Sequence, residues 1–301
     1  MATTKSLSPL GDIYQQAWES CSDLWPLFVL RFIFMLLNIG AMILCLILVF
    51  GSLILSLFKG LQDMRPNDVQ DYFKNFDFSG FAHDPGWLVS AVGIFALYMI
   101  WWLLLENLFN AGLYRRLWDR QKNGADFNLR QFFVDGIQYF LPMLGLYLLL
   151  IFSFFFVMFC LFVGAIAFGI LFKAMGIIWL GILLMIPGFF LFLLLMATLA
   201  ATWYMANAYV MEGFGVMDSF RRAFLKCKEN TGRVLWGILV VFIGYFILSF
   251  SFQLIMGLFS HVPLIGALFL LFEMFVNFVL AVMIWVFIPA VAVTFLLEKE
   301  A

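Results

Sequence analysis

Two glutamates, each followed four residues later by an asparagine, are the residues best placed to do chemistry. Glu106–Asn110 and Glu273–Asn277 both lie inside long apolar runs. The i, i+4 spacing puts each pair on one face of a helix. An ionisable group inside a bilayer costs about 2.5–3.5 kcal/mol on insertion scales, so each glutamate is a functional candidate.

A third charged residue, Arg31, occurs in the first apolar run. It lies six residues after Trp25, and Glu106 lies nine residues before Arg115. At 1.5 Å per residue these spacings correspond to about 9 and 13 Å from one membrane boundary. Arg31 and Glu106 could therefore form a structural ion pair between the first two spans. A role in substrate or proton movement is the alternative.

Glu273 and Gln253 lie ten residues on either side of Pro263, where a helical hairpin is predicted to turn. Both should then be near mid-membrane and face each other. Desolvation disfavours a charged carboxylate, so we expect Glu273 to be protonated there. Hydrogen bonding between helices through Gln253 and Asn277 is one interpretation. A proton or cation relay is the other.

The composition requires lipid as the main solvent of the chain. Of 301 residues, 65% are hydrophobic and 12% charged, with a net charge of −1. Soluble domains have about 45–50% apolar and about 25% charged residues. Four isolated cysteines and two histidines give no metal-ligand spacing, and no catalytic motif occurs in a supporting context. We therefore expect no enzyme activity, cofactor or metal, and no nucleic-acid partner.

Apolar runs predict six spanning helices, because a span needs about 20 residues. A polar segment, 59–86, is predicted to form a loop on the extracytoplasmic side, with tight turns at Lys173–Gly176 and Ser260–Pro263. The predicted spans are 27–58, 87–113, two within 139–210, 234–259 and 264–297.

A recurring pattern precedes each pair of spans. Asp12–Cys21 and Asp218–Cys227 both read D-x-aromatic-x-x-A-aromatic-x-x-C, and Phe127–Gly136 is a weaker copy. The apolar positions predict short amphipathic helices in the interface, the first with Asp12 as its N-cap. The predicted fold is an all-α integral membrane protein with six transmembrane helices in three hairpins, each preceded by a cytoplasmic amphipathic interfacial helix. Its parallel repeat units are 9–122, 123–214 and 215–301.

Lysine and arginine counts predict the orientation. Twelve fall on the side of the short helices and four on the opposite side, which indicates that both termini are cytoplasmic. Arg221, Arg222, Lys226 and Lys228 make the third short helix basic. They are candidates for contact with anionic lipid or a partner, although the general bias of that side is an alternative explanation.

The segment Tyr209–Phe224, YVMEGFGVMDSFRRAF, resembles the membrane domain that accompanies some bacterial glycerophosphodiester phosphodiesterases. It also resembles related stand-alone multi-spanning bacterial families of unknown function. The resemblance implies a bacterial inner-membrane location. It implies no hydrolysis, since no soluble stretch is long enough for the phosphodiesterase domain.

These patterns support two functional hypotheses. The first is a non-enzymatic membrane scaffold or accessory subunit that contacts membrane lipids, partner membrane proteins or further copies of itself. The alternative is a transporter or channel for a small solute or ion that uses the intramembrane carboxylates.

Overall fold

The computed structural model is almost entirely helical over the part of the chain that it describes, and that part contains no strand. The described residues are 9–62, 85–174, 178–229, 231–259 and 263–298, with side chains over 9–51, 86–170, 173, 187–229, 232–255 and 272–298.

Three short helices alternate with pairs of long ones along the described chain. The six long helices are apolar enough to cross a membrane, which confirms a multi-pass, all-helical membrane protein. The helices are α1 Leu10–Asp23, α2 Pro26–Gln62, α3 Pro85–Asn123, α4 Leu129–Gln138, α5 Phe140–Ala174, α6 Ile178–Met211, α7 Val216–Glu229, α8 Thr231–Phe259 and α9 Pro263–Leu297.

The prediction of Asp12 as an N-cap is wrong. Helix α1 begins at Leu10 with Pro9 at the N-cap position and no side-chain cap. Asp12 instead lies in the first turn, where its carboxylate faces the positive end of the helix dipole. The capping-box pattern misplaced the helix start by about one turn, because a proline that needs no backbone N–H can precede a helix.

The predicted 59–86 loop is too long at both ends. Helix α2 continues to Gln62 and α3 begins at Pro85, and the remainder of that loop lies outside the described residues. Lys173, predicted in a turn, is still helical. The rest of that turn from 175, and residues 260–262 of the other, also lie outside the description.

The contacts divide the chain into two compact units. The smaller unit, Ile33–Glu106, contains most of α2 and the first part of α3. Within it, the Trp87 indole donates a hydrogen bond to the Val49 carbonyl at 3.0 Å. The Trp87 ring also lies 6.2 Å from that of Phe50. One aromatic residue therefore joins the two helices.

The larger unit comprises the chain up to Phe32 and from Asn107 onward. Its core contains the last part of α9. In the most apolar stretch of this helix, 61% of the residues are buried. Helix α9 packs against α1, α6 and α8, and α6 packs in turn against α5 and α7. Each of α1 and α7 therefore packs mainly on a long helix that is not one of the two directly following it.

Two glycines bring the second short helix, α4, close to the end of α3. A Cβ atom at Gly112 would lie 2.7 Å from the Phe132 carbonyl oxygen, and one at Gly136 would lie 2.9 Å from the Leu108 carbonyl oxygen. Both distances are shorter than real Cβ contacts, so neither position tolerates a side chain without movement of the backbone. Helix α4 thus packs on α3 as α7 packs on α6.

Side chains of α3 also reach backbone carbonyls of the other two core helices. Arg115 donates to the Met211 carbonyl at the end of α6, at 3.2 Å. Gln121 donates to the Ala290 carbonyl of α9 at 3.3 Å. The cation at the end of α6 also complements the negative end of that helix dipole. The ends of α3, α6 and α9 are thereby held together.

Candidate functional site

The three short helices bury three common positions of their shared pattern, and α1 and α7 also bury a fourth. The buried residues are Ile13, Ala17, Ser20 and Cys21 in α1, Phe132, Asp135 and Gly136 in α4, and Ser219, Ala223, Lys226 and Cys227 in α7. Ala17, Phe132 and Ala223 occupy one position, as do Ser20, Asp135 and Lys226. Each helix therefore presents the same side to the long helices and leaves the opposite side exposed.

Lys226 is buried and is not part of the exposed basic face. Its ammonium donates to the carbonyl oxygens of Phe295 at 2.6 Å and Leu296 at 3.3 Å. These carbonyls belong to the last turn of α9, where four backbone acceptors have no partner within the helix. The structure therefore places Lys226 as a cap of α9, while the other three basic residues of α7 face outward.

Arg221, Arg222 and Lys228 are exposed. The Arg222 guanidinium lies 3.8 Å from the centroid of the Phe214 ring, a cation–π contact that limits its motion. The exposed side of α7 also carries large apolar side chains, including Met217, Phe224 and Leu225. Positive and apolar groups therefore alternate on one helix face.

Arg31 is buried between aromatic rings. Its guanidinium carbon lies 5.0 Å from the centroid of Phe109 on α3 and 5.2 Å from that of Trp285 on α9. Such contacts contribute about 2 kcal/mol or more when desolvated, which offsets much of the cost of a cation among apolar helices. Arg31 thus joins the start of α2 to two core helices.

Asn110 is buried. It directly follows Phe109, whose ring Arg31 contacts. Glu106, also buried, belongs to the other compact unit, and its pairing with Arg31 stays a prediction. On α9, the contact to Arg31 is made by Trp285, eight residues after Asn277. That separation is about 12 Å along the helix. Asn277 thus lies about two turns of α9 away from the residue that contacts Arg31.

Residues near the middle of α8 and α9 are less buried. Gln253 is exposed and Glu273 is half-buried. Asn277 accepts a hydrogen bond from the Ser249 hydroxyl at 2.8 Å. A serine of α8, rather than Gln253, is thus the polar partner of Asn277 across this helix pair.

Sequence reasoning missed a buried charged cluster between α3 and α4. Arg116 contacts Asp119 at 2.7 Å and also forms an ion pair with Asp135 of α4. Gln131 donates to the other oxygen of Asp135 at 3.0 Å. Each carboxylate lies near a cation, which is the arrangement that buried charges require. Asp135 occupies a buried position of the shared pattern. Its place in that pattern was the one feature of the sequence that indicated its burial.

A buried polar group on α3 and α6 was also missed. Tyr114 lies beside Tyr204 and Asn207. The Tyr114 hydroxyl, the Trp203 indole N–H and both amide atoms of Asn207 are buried and form no hydrogen bond of good geometry among the described residues. Trp203 and Asn207 have the same spacing as Glu106 and Asn110. That spacing was the available signal for this group.

Cysteine chemistry at the short helices is suppressed by burial. Burial raises the pKa of the Cys21 thiol to about 12. It also raises the pKa of Cys227, against the opposing effects of a Thr202 hydrogen bond and the Lys226 charge. Neutral thiols are poor nucleophiles and metal ligands. Among the described residues, no group of three or more His, Cys, Asp or Glu side chains is close enough to hold a metal ion.

An apolar groove of about 340 Å³ lies between α1, α8 and α9. Its walls include Trp18 of α1, Tyr245 of α8 and Phe287 of α9. The Tyr14 hydroxyl donates to the Gly237 carbonyl at 2.9 Å and so fixes α1 on α8. The groove offers hydrocarbon contact and few polar groups.

Comparison of the chain with protein-family models, curated proteins and solved structures finds no match.

Proposed function

We propose that this chain is a non-enzymatic scaffold or accessory protein of the bacterial inner membrane. In this proposal its three short helices lie at the cytoplasmic boundary and contact membrane lipids, partner membrane proteins or further copies of the chain. Both termini are cytoplasmic, in accord with the excess of lysine and arginine near the short helices.

One observation carries the proposal. Trp18, Phe133 and Phe224 occupy the same position of the shared pattern and are 51%, 37% and 49% exposed. A short helix that served only to close the core would bury its large aromatic side chain. Exposed Trp and Phe side chains on a short amphipathic helix are typical of helices that lie in the membrane interface.

The common register also supports a threefold parallel repeat with units 9–122, 123–214 and 215–301. Each short helix buries equivalent positions. In addition, α4 lies on α3, α7 on α6 and α1 on α9, so each rests on the second long helix of another unit. Cyclic packing of this kind is what a closed ring of three related units requires.

Site-directed labelling tests this placement. A single reactive residue is introduced at position 18, 133 or 224 of the full chain. At each position it should react with a membrane-impermeant reagent from the cytoplasmic side only. Position 246 is an exposed site in the long helix α8, and it serves as the control that should stay unreactive from both sides. Reaction of any of the three positions from the opposite side would overturn the proposal.

The scaffold role itself is tested by purification in native lipid particles, followed by mass spectrometry of bound lipids and proteins. A reproducible lipid class or protein supports it. Substitution of the three aromatic residues by serine should then reduce that association. Recovery of the chain alone, with the bulk lipid composition, contradicts it.

Transport is the second candidate, because Asn110, Asn207 and Tyr114 place polar groups inside the packed ends of α3 and α6. The exposed Gln253 and the Ser249–Asn277 hydrogen bond give less support to a path near the middle of α8 and α9. Ion flux into proteoliposomes that is abolished by Glu273→Gln would favour transport over the scaffold.

A further inference from the structure

The charges of the three short helices differ although their packing is alike. Helix α1 has three acidic residues, Asp12, Glu19 and Asp23, and no basic one. Helix α4 has one exposed charged residue, Arg130, because Asp135 is buried. Helix α7 has three exposed basic residues, Arg221, Arg222 and Lys228, beside the acidic Asp218 and Glu229, while its fourth basic residue is buried. A bias toward positive charge on one side of the membrane acts on all three helices, so it does not explain why exposed basic residues are concentrated on α7.

We propose that the exposed face of α7 is a binding site for anionic phospholipid. Arg221, Arg222 and Lys228 contact headgroup phosphates, while Phe224 enters the acyl region below them. The inference deepens the proposed function and rests on the placement of α7 at the membrane boundary.

The arginines are suited to phosphate. A guanidinium presents planar, forked donors that match phosphate oxygens. Arg222 is held over the Phe214 ring and remains exposed, so less side-chain freedom is lost when it binds. At the same positions α1 has Gln15 and Gln16, and α4 has Arg130 and Gln131.

The apolar residues on the same face favour lipid over an acidic soluble protein. Met217, Phe224 and Leu225 are exposed between the basic residues. This alternation matches a surface with phosphates above and hydrocarbon below. Helix α8, a candidate span, begins at Thr231, two residues after α7 ends. The basic face is thus directly adjacent in sequence to the start of a candidate span.

The inference is tested by lipid selectivity. The full chain is placed in nanodiscs of phosphatidylcholine with a minor fraction of phosphatidylglycerol, and the relative association constant of the two lipids is measured with spin-labelled analogues. Each basic residue near an anionic surface contributes about fivefold in affinity. The double variant Arg221→Gln/Arg222→Gln should therefore lower the preference for phosphatidylglycerol by about thirtyfold.

The matched control is Arg130→Gln, which removes an exposed arginine at the position in α4 that corresponds to Arg221. As a single exposed basic residue, it should lower the preference by at most about fivefold. High salt should weaken the wild-type preference, since the contacts are exposed. Equal selectivity of the double variant and wild type, or the same loss in the control, overturns the proposal. So does a protein partner that binds α7 equally well without anionic lipid.

A second measurement separates the two levels of the argument. A spin label carried by a non-canonical amino acid at position 224 reports its depth in the nanodisc. A label that reports bulk water refutes the boundary placement and with it both proposals. A label at the boundary, together with no effect of the arginine substitutions, refutes only the lipid site.

Discussion

Gly112→Ala tests the crossing of α3 and α4, which positions the second short helix. The new Cβ would lie 2.7 Å from the Phe132 carbonyl oxygen and 2.8 Å from its ring. Because the nearest atom is backbone, a change of rotamer cannot relieve the contact, and α4 itself must move. Overpacking of this kind costs about 1–3 kcal/mol. Alanine recovers about 0.5–1 kcal/mol in a helix interior, so the net loss is about 1–2 kcal/mol.

Thermal unfolding of the purified protein in detergent measures this effect. At about 2–4 °C per kcal/mol, Tm should fall by about 4 °C. Gly164→Ala in α5 is the matched control, because nothing lies within 4 Å of a Cβ built there. This control should be neutral or raise Tm by about 2 °C, since only the propensity gain applies. A Gly112→Ala variant as stable as Gly164→Ala would refute the close crossing.

Three further perturbations test the buried polar contacts. Lys226→Met should lower the free energy of unfolding by about 1.5–3 kcal/mol, because it removes charged hydrogen bonds to α9. The control, Arg221→Gln, should change that free energy by no more than about 0.5 kcal/mol. Thermal unfolding of the two variants measures the difference. Asp135→Asn should cost about 2 kcal/mol in the same assay, less than the 3–5 kcal/mol of a fully unpaired charge, because Arg116 keeps a second carboxylate. A melt equal to wild type would contradict that buried pair. Alkylation of Cys21 by iodoacetamide at pH 9, measured by mass spectrometry, should be far slower than that of a free thiol near pKa 8.5. Burial raises the pKa of Cys21 to about 12, so only about 0.1% of it is ionised at that pH. Alkylation as fast as that of the free thiol would show that Cys21 is accessible.

Helix type and approximate bounds were predictable from this sequence. The strongest signal was apolar length, since runs such as 234–259 exceed the roughly 20 residues that a span needs. Proline also helped, because Pro26 and Pro263 each begin a long helix, where its missing N–H costs nothing. The start of α1 was missed because local capping rules compete with proline at position 9.

Packing partners were not predictable in the same way. Periodicity identified the buried side of α1, but nothing local indicates that this side meets α9, more than 250 residues away. The role of Lys226 was hidden for a related reason. A lysine in the last turn of a short amphipathic helix is normally solvated, and only the approach of the end of α9 supplies backbone carbonyls for it.

The three short helices differ in which of their positions packing constrains and which it leaves free. Two buried positions, four residues apart, pack against the long helices in each copy. Alanine and cysteine occupy them in α1 and α7, and phenylalanine and glycine occupy them in α4. In α4 the glycine compensates for the large ring, because it allows close approach to Leu108. Charge on the outer side follows no such constraint, since α1, α4 and α7 have none, one and three exposed basic residues there. The Arg221–Arg222 pair is therefore not required by the packing of α7, in accord with the proposed lipid site.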